Sequence, residues 1–227
     1  MGAGNNHQSK KASQIRAVIL DYGEVLCQRP KMEALQRMAE VLGIDEGRFL
    51  AQYAESRDPY DQGVMTADQY WGEFARRAKV EIDGEVIQRL RTLDTQMWSA
   101  TSPEMTEWVG MLKEAGLTTA LLSNMQHDMS VYVRKNFDWL KRIDHQILSC
   151  EVGLIKPDPA IFHHCIERVG VRPEEALFVD DREANVNIAR AIGIRAIRFE
   201  NTEQLRDELR QIGFAVVPPR AQTARPS

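Results

Sequence analysis

Cysteine is scarce in this chain, with three residues (Cys27, Cys150 and Cys165) in a total of 227. An odd count without metal-ligand spacing argues against a disulfide framework and fits a reducing compartment, so a cytoplasmic location is expected. A basic excess is missing as well. Lys and Arg number 29 against 33 Asp and Glu, a net charge of −4, which leaves no electrostatic footprint for nucleic acid. An anionic substrate must then be held by local positive charge or by a metal. No apolar run is long enough to span a bilayer, so no membrane partner is expected. Residues 1–13 are polar and lack the apolar stretch of a signal peptide. Residues 1–14 read as a disordered leader and 218–227 as a disordered tail. Internal repeats are absent, and oligomeric state leaves no mark on the sequence.

Hydrophobic residues at 43% and charged residues at 27% describe an ordinary globular chain, long enough to bury a sizeable core. Short apolar, β-branched runs recur at 15–20, 118–122, 145–149, 176–179 and 195–199, with a weaker one at 214–217. Helical patterns lie between them at 102–115, 128–137, 159–169, 184–192 and 202–211. Strand alternating with helix predicts an α/β fold, a doubly wound parallel sheet. Residues 30–99 break the alternation. Helices fit 31–42, 46–56, 66–78 and 85–98, and Thr66 with Gln69 has the capping-box form. This segment reads as a helical cap inserted between 15–29 and 100–217, above the carboxyl ends of the strands, where open α/β sheets bind ligands.

Each chemistry-bearing candidate follows a predicted strand. Asp21 follows the first, Ser123 and Asn124 the second (LLSN), Lys156 the third (GLIKPDP), and Asp180 with Asp181 the fourth (FVDD). Parallel strands deliver these loops to one edge. Three carboxylates crowded there repel one another and hold raised pKa values unless a cation neutralises them. Hard oxygen ligands with open positions suit Mg²⁺.

The ordered set D-x-x-x-V, LLSN, K-P-D-P and V-D-D-x-x-x-N resembles the haloacid dehalogenase superfamily, in its branch with a helical cap, over roughly residues 15–217. The resemblance implies a Mg²⁺-dependent hydrolase of small phosphorylated metabolites. Asp21 would be the nucleophile that forms an aspartyl-phosphate. The Gly23 carbonyl, Asp180 and Asp181 would complete the metal site with Asp21. Ser123 and the Asn124 amide would bind the phosphoryl group, Lys156 would pair with nucleophile and phosphate, and Asn185 would support the acidic loop. The chemistry implied is covalent catalysis with electrostatic stabilisation.

One position departs from the family pattern. Most phosphatases of this kind carry a second Asp two residues after the nucleophile, and this chain has Gly23. General acid–base catalysis is worth ~10²–10⁴-fold, so its absence is costly without being fatal. Glu24 is the nearest substitute. Dehalogenases of the family also lack that Asp and need no metal, which makes a 2-haloacid dehalogenase the rival reading; a weakened regulatory or binding member is another. The sequence Asp21-Tyr22-Gly23-Glu24-Val25 lacks the displaced aromatic-Gly-Thr of dehalogenases. Elsewhere, Tyr60 and Gln62, in the expected loop 58–66, and His127 are candidates to touch substrate. His163 and His164 read as surface or packing residues, Cys27 as a buried thiol, and Trp71, Trp98 and Trp108 as core.

Overall fold

A computed structural model describes residues 14–220. Its centre is a sheet of five parallel strands: β1 (Ala17–Leu20), β2 (Thr118–Ser123), β3 (His145–Leu148), β4 (Ala176–Asp180) and β5 (Arg195–Arg198). They stand in the order β3-β2-β1-β4-β5. The sheet grows to one side of β1 and then to the other, and the crevice at such a reversal is the usual ligand position.

Strand side chains alternate between two apolar layers, because successive residues point to opposite faces. Val18 and Leu20 of β1 pack with Met105, Trp108 and Leu112 of α6 (Pro103–Glu114) and with Leu205 and Leu209 of α11 (Thr202–Gln211). Ala17 and Ile19 pack with Ile161, Phe162 and Cys165 of α9 (Pro159–Val169) and with Val186 of α10 (Glu183–Ala191). Both faces are covered, which is why the strands read as continuous apolar runs.

Between β1 and β2 stand α1 (Met32–Leu42), α2 (Glu46–Ser56), α3 (Asp58–Asp61), α4 (Ala67–Ala78) and α5 (Gly84–Met97). They enclose a core of their own around Met38, Phe49, Tyr70, Trp71, Phe74 and Leu90. The Thr66–Gln69 capping box forms in full at the start of α4. The two chain crossings are stitched together. Gln28 N–H donates to the Ala100 carbonyl at 2.7 Å, and Ser102 N–H to that of Leu26 at 2.9 Å.

The insertion rests on the core at several points. Arg91 of α5 grips Asp128 of α7 (His127–Asn136) with two bonds of 2.7 Å. Gly63, at φ +79°, lies against α8 (Ser149–Val152) so closely that a Cβ there would stand 2.6 Å from the Cys150 carbonyl oxygen. Only glycine meets both demands.

The structure corrects two expectations. Residues 58–66 are not all loop, because Pro59 in the first turn starts the short helix α3. Residues 214–217 form no strand. Phe214, Val216 and Val217 pack on the core, and the Trp108 indole donates to the Val216 carbonyl at 2.9 Å. Of the expected tail, Pro218 and Pro219 are held by the buried Arg206, which donates to both carbonyls. Residues 221–227 and nearly all of the expected leader lie outside the described residues. Among those described, no helix is long and apolar enough to cross a membrane.

Candidate active site

Four loops meet at the carboxyl edge of the sheet. Asp21 continues β1, its N–H donating to the Val179 carbonyl of β4 at 3.0 Å. Lys156 reaches in from the loop after α8, with Nζ 2.9 Å from Asp21 Oδ1 and 2.6 Å from Asp180 Oδ2. Asp180 ends β4 with no solvent exposure. It accepts from both sides: Arg182 N–H at 2.8 Å and Asn185 Nδ2 at 2.9 and 3.0 Å, besides Lys156. Asn185 thus fixes the carboxylate that fixes the lysine. One carboxylate oxygen each from Asp21, Asp180 and Asp181 lies within 4.8 Å of the others, a spacing that a single small cation can span.

The β2 loop is clamped to the β3 loop. Asn124 Nδ2 donates to the Lys156 carbonyl, and Lys156 N–H donates back to Asn124 Oδ1, both at 2.8 Å. The Asn124 side chain is therefore a strut under Lys156, a role its sequence context did not suggest. Met125 N–H donates to the buried Ser149 Oγ at 2.8 Å. Ser123 is buried and lines the cavity.

Burial dominates the electrostatics. It raises the Asp21 pKa to about 6, with Lys156 opposing and Asp180 adding to the shift. It raises Asp181 to about 7, helped by the negative charges of Asp21, Asp180 and Glu24. For Lys156 burial works against the charge, but Asp180 and Asp21 outweigh it, and its pKa stands above the ordinary value. A carboxylate cluster held this way is short of positive charge.

The turn after Asp21 explains how Gly23 is accommodated. Gly23 has φ −61° and ψ 128°, ordinary for any residue, whereas Glu24 takes the left-handed φ of 54°. A Cβ at Gly23 would meet Trp98 Cζ3 at 3.6 Å and Asp21 Oδ2 at 3.9 Å, both ordinary contacts. The backbone does not require glycine here. Glu24 lines the cavity and pairs with Arg29 at 2.6 Å.

Above the carboxylates lies a cavity of about 480 Å³, within the usual range for small-molecule sites. The core lines its floor, Tyr53, Arg57, Asp58 and Asp61 of the insertion line another part of its wall, and Trp98 lines it beside Gly23. Arg57 had no sequence signal, since it stands in no motif and far from the sheet edge in the chain. It pairs with Asp61 and with Asp94, each at 2.8 Å, and Tyr53 OH donates to Asp94 Oδ1 at 2.5 Å. Tyr60 and Gln62 do not line the cavity. Tyr60 is buried against Tyr70, ring centroids 4.5 Å apart, and Gln62 donates to the Gly153 carbonyl. His127 is exposed outside the lining. Trp71 and Trp108 are core, while Trp98 is half-buried at the cavity wall. Burial pushes the Cys27 thiol up to about 12, so it is inert at neutral pH.

The family model of haloacid dehalogenase-like hydrolases matches residues 15–193. The chain belongs to that family. Among curated relatives, the hydrolase is 30% identical over 209 residues to mouse acyl-CoA dehydrogenase family member 10, covering 88% of this chain and 19% of that protein. It is 32% identical over 109 residues to (S)-2-haloacid dehalogenase 1 of a Pseudomonas species, 48% of each chain. Against D-ribitol-5-phosphate phosphatase of Bacteroides thetaiotaomicron it is 23% identical over 216 residues, 86% of this chain and 97% of that one. The hydrolase thus spans a fifth to a half of the length of several relatives and nearly all of the ribitol-phosphate phosphatase. A haloacid dehalogenase family enzyme from B. thetaiotaomicron, solved as a magnesium complex, superposes with a TM-score of 0.73 at 20% identity, covering 87% of this chain and 100% of that one. The L-2-haloacid dehalogenase of Xanthobacter autotrophicus superposes at 0.63 and 20% identity, covering 90% and 85%. Both likenesses show the fold.

Proposed function

We propose that this hydrolase cleaves small phosphate monoesters in the cytoplasm, through an aspartyl-phosphate on Asp21, with Mg²⁺ as cofactor. The observation that carries the reading is the cluster of Asp21, Asp180 and Asp181 at the floor of a closed-over cavity, its carboxylate oxygens within 4.8 Å. Burial and the neighbouring negative charges raise the pKa values of Asp21 and Asp181, and a bound cation would offset both effects. Asp21, Asp180, Asp181 and the Gly23 carbonyl would hold Mg²⁺, all hard oxygen donors. When bound, the ion neutralises the cluster and stabilises charge on the transferring phosphoryl group. The likeness to a ribitol-phosphate phosphatase, and to a neighbour solved with magnesium and inorganic phosphate, supports this reading.

Asp21 attacks phosphorus, and the ester P–O bond breaks with its electron pair leaving on the substrate oxygen. Lys156 fixes Asp21 and meets the phosphate with its remaining N–H, since only two of three donors are used. Ser123 Oγ and the Asn124 N–H hold the phosphoryl oxygens. With Gly23 in place of an acid, the leaving oxygen takes its proton from water or from Glu24. Water then attacks the aspartyl-phosphate, releasing phosphate and the Asp21 carboxylate. The helical insertion acts as a cap that excludes bulk water and reads the rest of the substrate.

Gly23 and the haloacid dehalogenase relative favour the dehalogenase reading, and a weakened regulatory member would share the same missing acid. A metabolite-phosphate panel and a 2-haloacid, each assayed with Mg²⁺ and with EDTA, separate them. Phosphate release that EDTA abolishes, with Asp21 trapped as its phosphate, is expected. Haloacid turnover that ignores EDTA would overturn the reading. Binding of phosphate esters without turnover would leave the regulatory one.

A further inference from the structure

Trp98 ends the insertion beside the turn that follows the nucleophile. It caps the C-terminus of α5 and packs against the apolar clusters of both the core and the insertion. Tyr22 OH donates to its carbonyl at 2.6 Å. The indole is half-buried and lines the cavity. Asp21 Oδ1 accepts from Tyr22 N–H at 2.7 Å and pairs with Lys156 at 2.9 Å, whereas Oδ2 accepts no hydrogen bond among the described residues. Oδ2 is the oxygen free to attack. A Cβ at Gly23 would lie 3.9 Å from Oδ2 and 3.6 Å from Trp98 Cζ3. Apart from its chain neighbours, it would meet no other atom of the described residues within 4 Å. The indole thus stands within the span of a phosphate ester from the attacking oxygen. The acidic chain neighbour, Glu24, is paired with Arg29 at 2.6 Å.

We propose that Trp98 is a specificity-determining residue and that the substrate is an aryl phosphate, the ester of a phenol, whose ring lies against the indole. This rests on the phosphatase reading and names its substrate class. Two independent features converge on it. The space beside the free oxygen of Asp21 holds a ring and no acid. A leaving group there departs as its anion: the electron pair of the P–O bond stays on its oxygen, and the proton comes afterwards from water. A phenol does this far more readily than an alkyl alcohol, because its anion is the weaker base. Rings in contact, offset-stacked or edge-to-face, also gain about two- to tenfold in affinity beyond the area they bury. An alkyl group of the same size gains the area alone.

The test compares phenyl phosphate with cyclohexyl phosphate, matched in size and different in aromaticity. Calorimetry with the Asp21→Asn full-length protein and Mg²⁺ reads affinity without turnover. Phenyl phosphate should bind about two- to tenfold more tightly. Adding Trp98→Leu should erase that difference and adding Trp98→Phe should keep part of it, a pattern that a merely structural residue would not produce. Equal or weaker binding of phenyl phosphate with Trp98 in place would overturn the proposal, and this comparison stands even where Trp98→Leu fails to fold. A preference that survives Trp98→Leu, or one that Trp98→Phe abolishes, would overturn it too. Wild-type phosphate release from both esters is measured in parallel. A phenyl preference in binding without phosphate release would keep the ring contact and remove the phosphatase reading. Release from both esters with equal binding would do the opposite.

Discussion

Two buried trios, one in the core and one in the insertion, share a recipe of one cation between two carboxylates, and they behave differently. In the core, Lys156 sits between Asp21 and Asp180; in the insertion, Arg57 sits between Asp61 and Asp94. An ammonium is a point charge with rotatable donors, so Lys156 can turn toward a ligand without losing both partners. A guanidinium is a fixed fork. Arg57 is locked by its two carboxylates and covered by tyrosine rings. The core trio also borders a third carboxylate, Asp181, that no cation in the cluster matches. Choice of cation separates a site built to react from a wall built to stand.

The sharpest way to break the comparison is to remove the reacting group. Asp21→Asn should keep the fold and lower phosphate release by roughly 10³-fold or more, as loss of a nucleophile does. Circular dichroism with a turnover assay checks both halves, and wild-type rates would end the nucleophile assignment. The insertion trio should fail in the opposite sense. Arg57→Met leaves Asp94 buried without its cation, at a cost of about 3–5 kcal/mol in stability, read by denaturant unfolding. A variant as stable as the wild type would show that the trio is no structural wall.

Gly23→Asp is next in size. The φ of −61° suits any residue, and a Cβ here makes only ordinary contacts with Trp98 and Asp21. Turnover of alkyl phosphates should rise toward ~10²-fold, with little change for aryl phosphates, whose leaving groups need no proton. In the wild type, single-turnover rates should fall steeply as the leaving group becomes more basic. A flat dependence lost on Glu24→Gln would make Glu24 the donor.

The smallest expected effect is on metal affinity. In the metal-free protein Asp181 and Asp21 hold protons to about 7 and about 6, above the ordinary 3.8 of an Asp. The folded state binds those protons more tightly than the unfolded one. Their contribution to stability is therefore present at low pH and is lost as pH rises through 6 to 7. A bound cation must displace the protons, so Mg²⁺ should bind about tenfold more weakly per pH unit below 6 for each proton released. Thermal unfolding with and without Mg²⁺ should show a larger gain at pH 8 than at pH 5.5. An equal gain at both would mean that these carboxylates are not the ligands.

The core half of the site was legible because Asp21, Ser123 and Asp180 stand at the ends of apolar strands and Lys156 in the segment that follows β3, and a parallel sheet converts those positions into proximity. Asp21, Ser123, Lys156 and Asp180 are all found that way. The Asn124 strut was not, because a side chain that bonds a backbone across two loops leaves no periodic trace. The insertion half was opaque for the same reason at larger scale. Arg57 and Asp61 fall in a stretch whose short helix turns on Pro59, and without that helix Tyr60 and Gln62 look as available as their neighbours. The run 214–217 is apolar enough for a strand, but its carbonyl at Val216 is taken by the Trp108 indole instead of a sheet partner.

Ser149 gives the meeting of the two halves a mechanical character. Its hydroxyl accepts from Met125 N–H, beside Ser123 and Asn124, and gives its single proton to the Asp61 carbonyl of the insertion. The Met125 carbonyl oxygen waits 3.5 Å away. The hydroxyl's one proton thus goes to the insertion, although an acceptor of its own layer stands close by. One side-chain oxygen is therefore the meeting point of three segments of the chain, the loop after β2, α8 and the insertion.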